Sequence, residues 1–278
     1  MPASSQIQDT PVASKPVILC GMYAFSPVLE NAWGMLLGSL HRHLEPPAID
    51  PFEIRYRDDT QAFHDKRLYL GQTCGYPYRV RYMKTHEIIS VPEFDVEGCA
   101  GLFYSSWLVA RADDSRMSLE DFRSGTAVVN NFDSNSGMNV FRHAVSRIAH
   151  GSAFFSEVRS SGSHLASLRM VRHHEGDIAS IDAVTYGLAT ELGLVDPSDF
   201  RILAQTEATP GLPFIASRRL RLDPETITAA LNAALECLRP APVALLRIRR
   251  FSTVDSGVYR KISDLEQAAV RAGYPHLA

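Results

Sequence analysis

Three short stretches gather hydroxyl, amide, imidazole and carboxylate groups where a strand pattern gives way to a helix pattern. The first, NNFDSNSGMN (Asn130 to Asn139), follows the apolar run TAVV and precedes VFRHAVSRI. Ser134, Asn135 and Ser136 therefore fall at an N-cap and first turn, where up to about four backbone N–H groups lack helical partners. A helix N-terminus also carries an effective charge of about +0.5, so an oxyanion can be held there without a lysine or arginine. Gly137 leaves room for a ligand to approach the backbone. Ser, Asn and Asp are equally the favoured capping residues, so this stretch alone fits a capped turn as well as a binding site.

The second stretch, SSGSHLASL, puts Gly162, Ser163 and His164 at another helix start and adds an imidazole. The third, ASIDAVTYGL, sets Asp182 at a strand-to-helix junction with Tyr186 one turn further on. Donor clusters recurring at the carboxyl ends of strands in one αβ series mark the place where open α/β sheets bind ligands. Ser134 or Ser136, His164 and Asp182 have the residue types of a Ser-His-Asp triad. There is no GxSxG elbow, however, and each residue has a capping or binding role. The pairs His41/His43 and His173/His174 lack a third ligand at suitable spacing, and neither GxGxxG nor a P-loop occurs, so no metal or cofactor is expected.

The elements that must carry these groups follow from periodicity. PVILCGMY reads as a strand followed by a helix with Leu29, Trp33, Leu36 and Leu40 on one face; FEIRYR and HEIIS read as further strands. GLFYSSWLVARADD is an apolar run ending in a charged turn. GTAVVNN then opens a second αβ series, with helix faces Met138–Phe141–Val145–Ile148, Leu165–Leu168–Val171 and Val184–Leu188–Leu192 after successive strands. FRILAQTEATPGLPFIAS reads strand, Pro-Gly turn, strand. Two helices close the chain, on the stripes Ile227–Leu231–Leu235–Leu238 and Ile262–Leu265–Ala269. This alternation predicts an α/β protein.

At 278 residues the chain is long enough for one large domain or two lobes. Its net charge of -3 is spread evenly, which gives no field for a polyanion or an acidic membrane. The one basic cluster, RIRR at Arg247 to Arg250, is short and reads as a solvated strand end, so no nucleic-acid partner is expected. No window approaches the roughly 18 apolar residues of a membrane helix, so no membrane insertion is expected. The N-terminus has no basic and apolar regions of a signal peptide, and residues 1–14 read as a loose tail. Of the four cysteines, Cys20 and Cys237 sit in apolar runs and read as buried thiols.

Taken in order, LGQTCGYPY, LFYSSWLVARADDS, GTAVVNNFDSNSGMNVFRHAV, SGSHLASLRMVRHHEGDIASIDAVTYGL and ILAQTEATPGLPFIAS resemble the phosphonate/phosphite-binding family of ABC-importer substrate-binding proteins, over residues 15–260. The resemblance implies a type II periplasmic-binding-protein fold, two α/β lobes joined by two crossover strands with the ligand cleft between them. Lobe 1 would comprise residues 15–106 and 215–278, and lobe 2 residues 107–214. It further implies that the turn at Ser134, Asn135 and Ser136 binds phosphonate oxygens, that Gly162 to His164 add donors and that Asp182 faces the ligand. Tyr23 and Tyr76 would close the other side. Asn135 departs from the family, where threonine or serine is common.

The resemblance also brings Cys74 and Cys99 into one lobe, flanking a strand, where a disulfide is conceivable. It implies a periplasmic protein that delivers a small oxyanion (phosphonate, phosphite or phosphate type) to a permease. The lack of a signal peptide leaves a cytoplasmic protein open, and with it a cytosolic enzyme or sensor acting on a small anionic metabolite. The expectation adopted is a binding protein rather than an enzyme.

Overall fold

In the computed structural model, residues 15–44, 51–56, 60–238 and 243–278 are described; the tail expected at residues 1–14 lies outside them. The chain opens with β1 (Val17–Leu19) and α1 (Pro27–Ser39), then β2 (Glu53–Arg55), β3 (Leu68–Gln72), a short α2 (Gly75–Pro77) that continues as a wider π turn over Tyr78–Tyr82, and β4 (His86–Phe94). Two short strands, β5 (Cys99–Ala100) and β6 (Phe103–Tyr104), lead to β7 (Ser106–Arg111) and β8 (Thr126–Val129). Next come α3 (Val140–Ala149), β9 (Glu157–Ser160), α4 (His164–Arg172), β10 (Ile178–Asp182), α5 (Ala183–Glu191) and β11 (Phe200–Gln205). The chain returns through β12 (Thr209–Pro210) to β13 (Phe214–Ser217), α6 (Pro224–Cys237), β14 (Ile248–Ser252) and α7 (Arg260–Arg271).

Three sheets result. The first runs β14-β4-β13-β3-β1-β2, the second β11-β7-β10-β8-β9, and a small third β12-β6-β5. The central strands are buried along their length, β3 as LYLGQ and β10 as IASID. That burial is why the sequence reads there as continuous apolar runs rather than an alternation. The chain leaves the first sheet after β4, crosses through β5 and β6, and returns through β12; β6 and β12 pair antiparallel at Tyr104↔Thr209. Two α/β lobes joined by two crossover strands are the architecture the motifs imply.

Helices α1, α4, α5 and α6 each start at a side chain that accepts from an orphan N–H group. Ser26 caps α1 with Pro27 in the first turn, and Asp223 caps α6 with Pro224 in the same place. Leu29, Trp33, Leu36 and Leu40 are fully buried, as their spacing predicts. Two expectations are corrected. Cys237 is exposed at the end of α6, beyond the buried stripe. The C-terminal residues, assigned from the sequence to the first lobe, pack on the second: Tyr274 and Leu277 join the cluster of Phe141, Phe154 and Phe155, and the Phe154 amide donates to the Ala278 carbonyl at 2.6 Å. The RIRR cluster is committed to intramolecular pairs, Arg249 with Asp95 at 2.7 Å and Arg250 with Glu93 at 3.0 Å.

Candidate functional site

The cleft between the lobes holds a cavity of about 240 Å³, and three helix starts of the second lobe border it. Ser134 Oγ accepts from the Gly137 amide at 3.1 Å, Ser163 Oγ from the Ala166 amide at 3.1 Å, and Asp182 Oδ1 from the Thr185 amide at 2.9 Å. All three caps follow strand ends (β8, β9, β10) that are adjacent and parallel, so their helices point the same positive end at one place. Gly162, at φ +90°, makes the left-handed turn that delivers Ser163 to its cap. Among the described residues, no lysine or arginine lines the cavity.

Ser136 is 4% exposed and its Oγ lies 2.9 Å from His164 Nε2 and 3.5 Å from Ser134 Oγ. Burial holds the His164 imidazole down at a pKa of about 4, so the ring is neutral near pH 7. A hydrogen bond with the Ser180 backbone acts the other way and is the weaker cause. Asp182 is engaged elsewhere, by the Tyr23 hydroxyl at 3.0 Å and by Thr185. The Ser136–His164 pair therefore lacks the orienting carboxylate of a triad. Burial pushes Asp182 up to about 6, against the lowering effect of its bonds from Thr185 and Tyr23. Tyr23 comes from the first lobe after β1, so its bond to Asp182 spans the cleft. An ion pair between Arg81 and Asp133 spans it at the rim.

Not every residue expected at the ligand lines the cavity. Tyr23, Ser134, Ser136, Gly162, Ser163, His164 and Asp182 do. Asn135 does not: it is fully buried, donating from Nδ2 to Thr209 Oγ1 at 2.8 Å and to the Tyr104 hydroxyl at 3.3 Å, both on the crossover strands. Tyr76 turns away, its hydroxyl donating to Glu266 of α7 at 2.6 Å, while its neighbours Cys74 and Pro77 face the cleft. Tyr186 packs with Trp107 and borders a separate cavity of about 590 Å³ with Phe200. The bridge conceived between Cys74 and Cys99 is not formed; both are free thiols, and Cys74 Sγ accepts from the Asn135 amide at 3.3 Å. Gly137 is needed for a different reason than expected. A Cβ there would sit 1.8 Å from Asn130 Oδ1, so the glycine admits a side chain of its own turn.

Sequence reasoning missed Asn130, Asp133, Thr185 and the apolar wall of Met22, Phe25 and Leu212. Asn130 and Asp133 lie inside the stretch that drew attention first, but no periodicity separates their roles from their neighbours'. If Tyr76 acts through α7 and not at the ligand, Tyr76→Phe should leave ligand affinity within about twofold while lowering stability by about 1 kcal/mol, the worth of one hydrogen bond. Calorimetry and thermal melts on the one variant check both; a large loss of affinity with an unchanged melt would put Tyr76 back at the ligand.

The family model described as the periplasmic substrate-binding protein of phosphonate ABC transporters matches residues 23–255. Comparison with curated proteins returns no match. Among solved structures, a binding-protein component of an ABC phosphonate transporter from Pseudomonas aeruginosa is similar at a TM-score of 0.70 and 19% identity, covering 93% of this chain and 88% of that one. PhnD1 from Prochlorococcus marinus, in complex with methylphosphonate, is similar at 0.70 and 16% identity, with 91% and 97% covered. A Xanthomonas citri protein bound to ATP is similar at 0.64 and 16% identity, with 93% and 97% covered. At these identities the structural likeness is one of fold.

Proposed function

The chain belongs to the family of periplasmic substrate-binding proteins of phosphonate ABC transporters, and from that premise we propose that its cleft captures a small phosphorus oxyanion with at most a short apolar substituent. The observation that carries this reading is the convergence of three capped helix starts, with Ser134, Ser136 and Ser163 hydroxyls and no cationic side chain, on a cavity of about 240 Å³. Ser136 Oγ and neutral His164 Nε2 share a hydrogen bond whose direction follows the imidazole tautomer, and the tautomer protonated on Nε2 frees the Ser136 hydroxyl proton for a ligand oxygen. Ser134 Oγ accepts from Gly137, so its proton is free in the same way. Met22, Phe25, Leu165 and Leu212 supply a wall suited to a short alkyl group. Asp133 is tied to Arg81, whereas Asp182 accepts from Tyr23 and Thr185 and keeps lone pairs for a ligand donor.

Asp182 would select by protonation. A hydrogen-phosphonate or hydrogen-phosphite can donate to its carboxylate, whereas sulfate near neutral pH has no proton to offer and is repelled. Asp182→Asn is expected to narrow the preference for methylphosphonate over sulfate by about tenfold or more, the worth of one charge-assisted bond. A titration of both anions into both proteins decides it, and an unchanged ratio removes Asp182 from selection.

The same residue gives a pH signature in the ligand-free protein. Its folded pKa of about 6 lies above the usual carboxylate value, so its contribution to stability is present below about pH 3.9 and is lost as pH rises through 6. The stability of the native protein relative to Asp182→Asn should fall by roughly 2–3 kcal/mol at most between pH 4 and 7. Parallel pH profiles would contradict the burial argument.

The rival reading, an enzyme on the same fold, draws on the 2.9 Å Ser136–His164 contact. A base held near pKa 4, without an orienting carboxylate, favours binding over turnover. Calorimetry across methylphosphonate, phosphite, phosphate, aminoethylphosphonate and sulfate, with phosphorus NMR of each phosphorus ligand after long incubation, tests the proposal. Binding of a small phosphorus oxyanion recovered unchanged is expected. A flat panel or a converted ligand would defeat it.

A further inference from the structure

A third cavity, of about 480 Å³, lies at the opposite end of the first sheet from the cleft. β13 runs antiparallel to both β3 and β4, its neighbours on either side, so its carboxyl end lies beside their amino ends. That register gathers Lys66 before β3, Lys84 before β4, and Arg218 and Arg219 after β13 around one concavity, with His64 and His86. Only four lysines occur in the whole chain, and two of them are here.

These cations are not spent on neighbouring acids. Among the described residues Lys66, Lys84 and Arg219 form no ion pair, and Arg218 reaches Glu87 only at 3.8 Å. The one carboxylate lining the cavity, Asp65, is already held by Arg67 at 2.9 Å and Arg55 at 3.3 Å. His86 lines the same cavity at 6% exposure and stands 2.9 Å from Thr85 Oγ1 through Nδ1.

We propose that this pocket is a second anion site, separate from the interlobe cleft, that takes a compact polyphosphate-type anion of several charges. Uncommitted cations from three strand ends, facing one another across a hollow, suit a small solute that presents oxygens in several directions. A flat anionic membrane would touch only the rim, so the concavity favours a soluble ligand.

The test titrates inorganic tripolyphosphate by calorimetry into the native protein, the triple variant Lys66→Ala/Lys84→Ala/Arg219→Ala, and the cleft variant Ser136→Asp, with melts to confirm folding. The native protein and Ser136→Asp should bind alike, and the triple variant should bind about tenfold or more weakly, as expected for losing charge-assisted contacts. The triple variant should keep the native response to methylphosphonate. No binding by the native protein, equal binding by the triple variant, or loss of binding in Ser136→Asp would each overturn the proposal. So would sedimentation of the native protein with anionic phospholipid vesicles while tripolyphosphate gives no heat.

Discussion

Ser136→Asp should lose affinity for the phosphorus oxyanion by about ten-thousandfold, whereas Ser136→Ala should lose only about tenfold. The alanine removes one hydroxyl donor, whose net worth is about 1–1.5 kcal/mol. The aspartate removes that donor and sets a fixed negative charge where the ligand's own charge must sit. Two like charges about 4 Å apart at an effective dielectric near 20 repel by about 4 kcal/mol. Among the described residues no lysine or arginine lines the cavity to absorb the new charge, and Ser136 is only 4% exposed to water. His164 could respond, since an adjacent carboxylate would favour its imidazolium from 2.9 Å away. The titration therefore belongs at pH 8, where the ring, starting from about 4, stays neutral. Folding needs its own check by thermal melt, although an acid at a helix start is itself favourable. A folded Ser136→Asp that binds within about tenfold of the native protein would show that the anion does not dock at this turn.

The fold was legible because its signals are local. Leu29–Trp33–Leu36–Leu40 and Ile262–Leu265–Ala269 fall on buried faces as their spacing predicts, and the strand-to-helix junctions at Ser134, Ser163 and Asp182 are caps. The limits came where a role depends on direction or on a distant partner. Asn135 sits between two cavity-lining serines, yet in a helical turn adjacent residues point about 100° apart, so its amide faces the crossover strands. Tyr76 is two residues from the cleft-lining Cys74, and its partner Glu266 lies 190 positions away in sequence. No periodicity encodes such a contact. The paired cysteines were inferred from lobe membership, but a bridge also needs facing side chains, and the Cys74 sulfur faces the Asn135 amide. The C-terminal segment was read by chain position, whereas Tyr274 and Leu277 follow the apolar surface of α3 and its neighbours.

Those long-range partners form a continuous polar chain behind the anion turn. Tyr76 donates to Glu266, Arg142 pairs with Glu266 at 3.3 Å and donates to Asn139 Oδ1 at 2.9 Å, and Asn139 Nδ2 donates to Asn135 Oδ1 at 3.1 Å and to the Ile262 carbonyl at 3.0 Å. Asn135 then reaches Thr209 and Tyr104. The chain joins the first lobe, α7, α3 and both crossover connections, so the turn bearing Ser134 and Ser136 is positioned from behind by groups that never line the cavity.

Asn135→Ala tests that arrangement and separates it from the role expected from the sequence. It removes two donations and one acceptance at a site with 0% exposure, leaving Asn139 and Thr209 short of a partner each. Unsatisfied buried groups cost about 1–3 kcal/mol apiece, so a net loss of roughly 2–4 kcal/mol is expected. In a chain of this size that lowers the melting temperature by about 5–10 °C. Affinity should also fall, by about three- to thirtyfold, because a loosened turn no longer holds its hydroxyls at the cavity when the lobes close. If Asn135 instead touched the ligand, affinity would fall while the ligand-free melt stayed in place. A lowered melt with unchanged affinity would mean that the turn keeps its geometry without its anchor, and the polar chain would then be holding the lobes together rather than shaping the anion site.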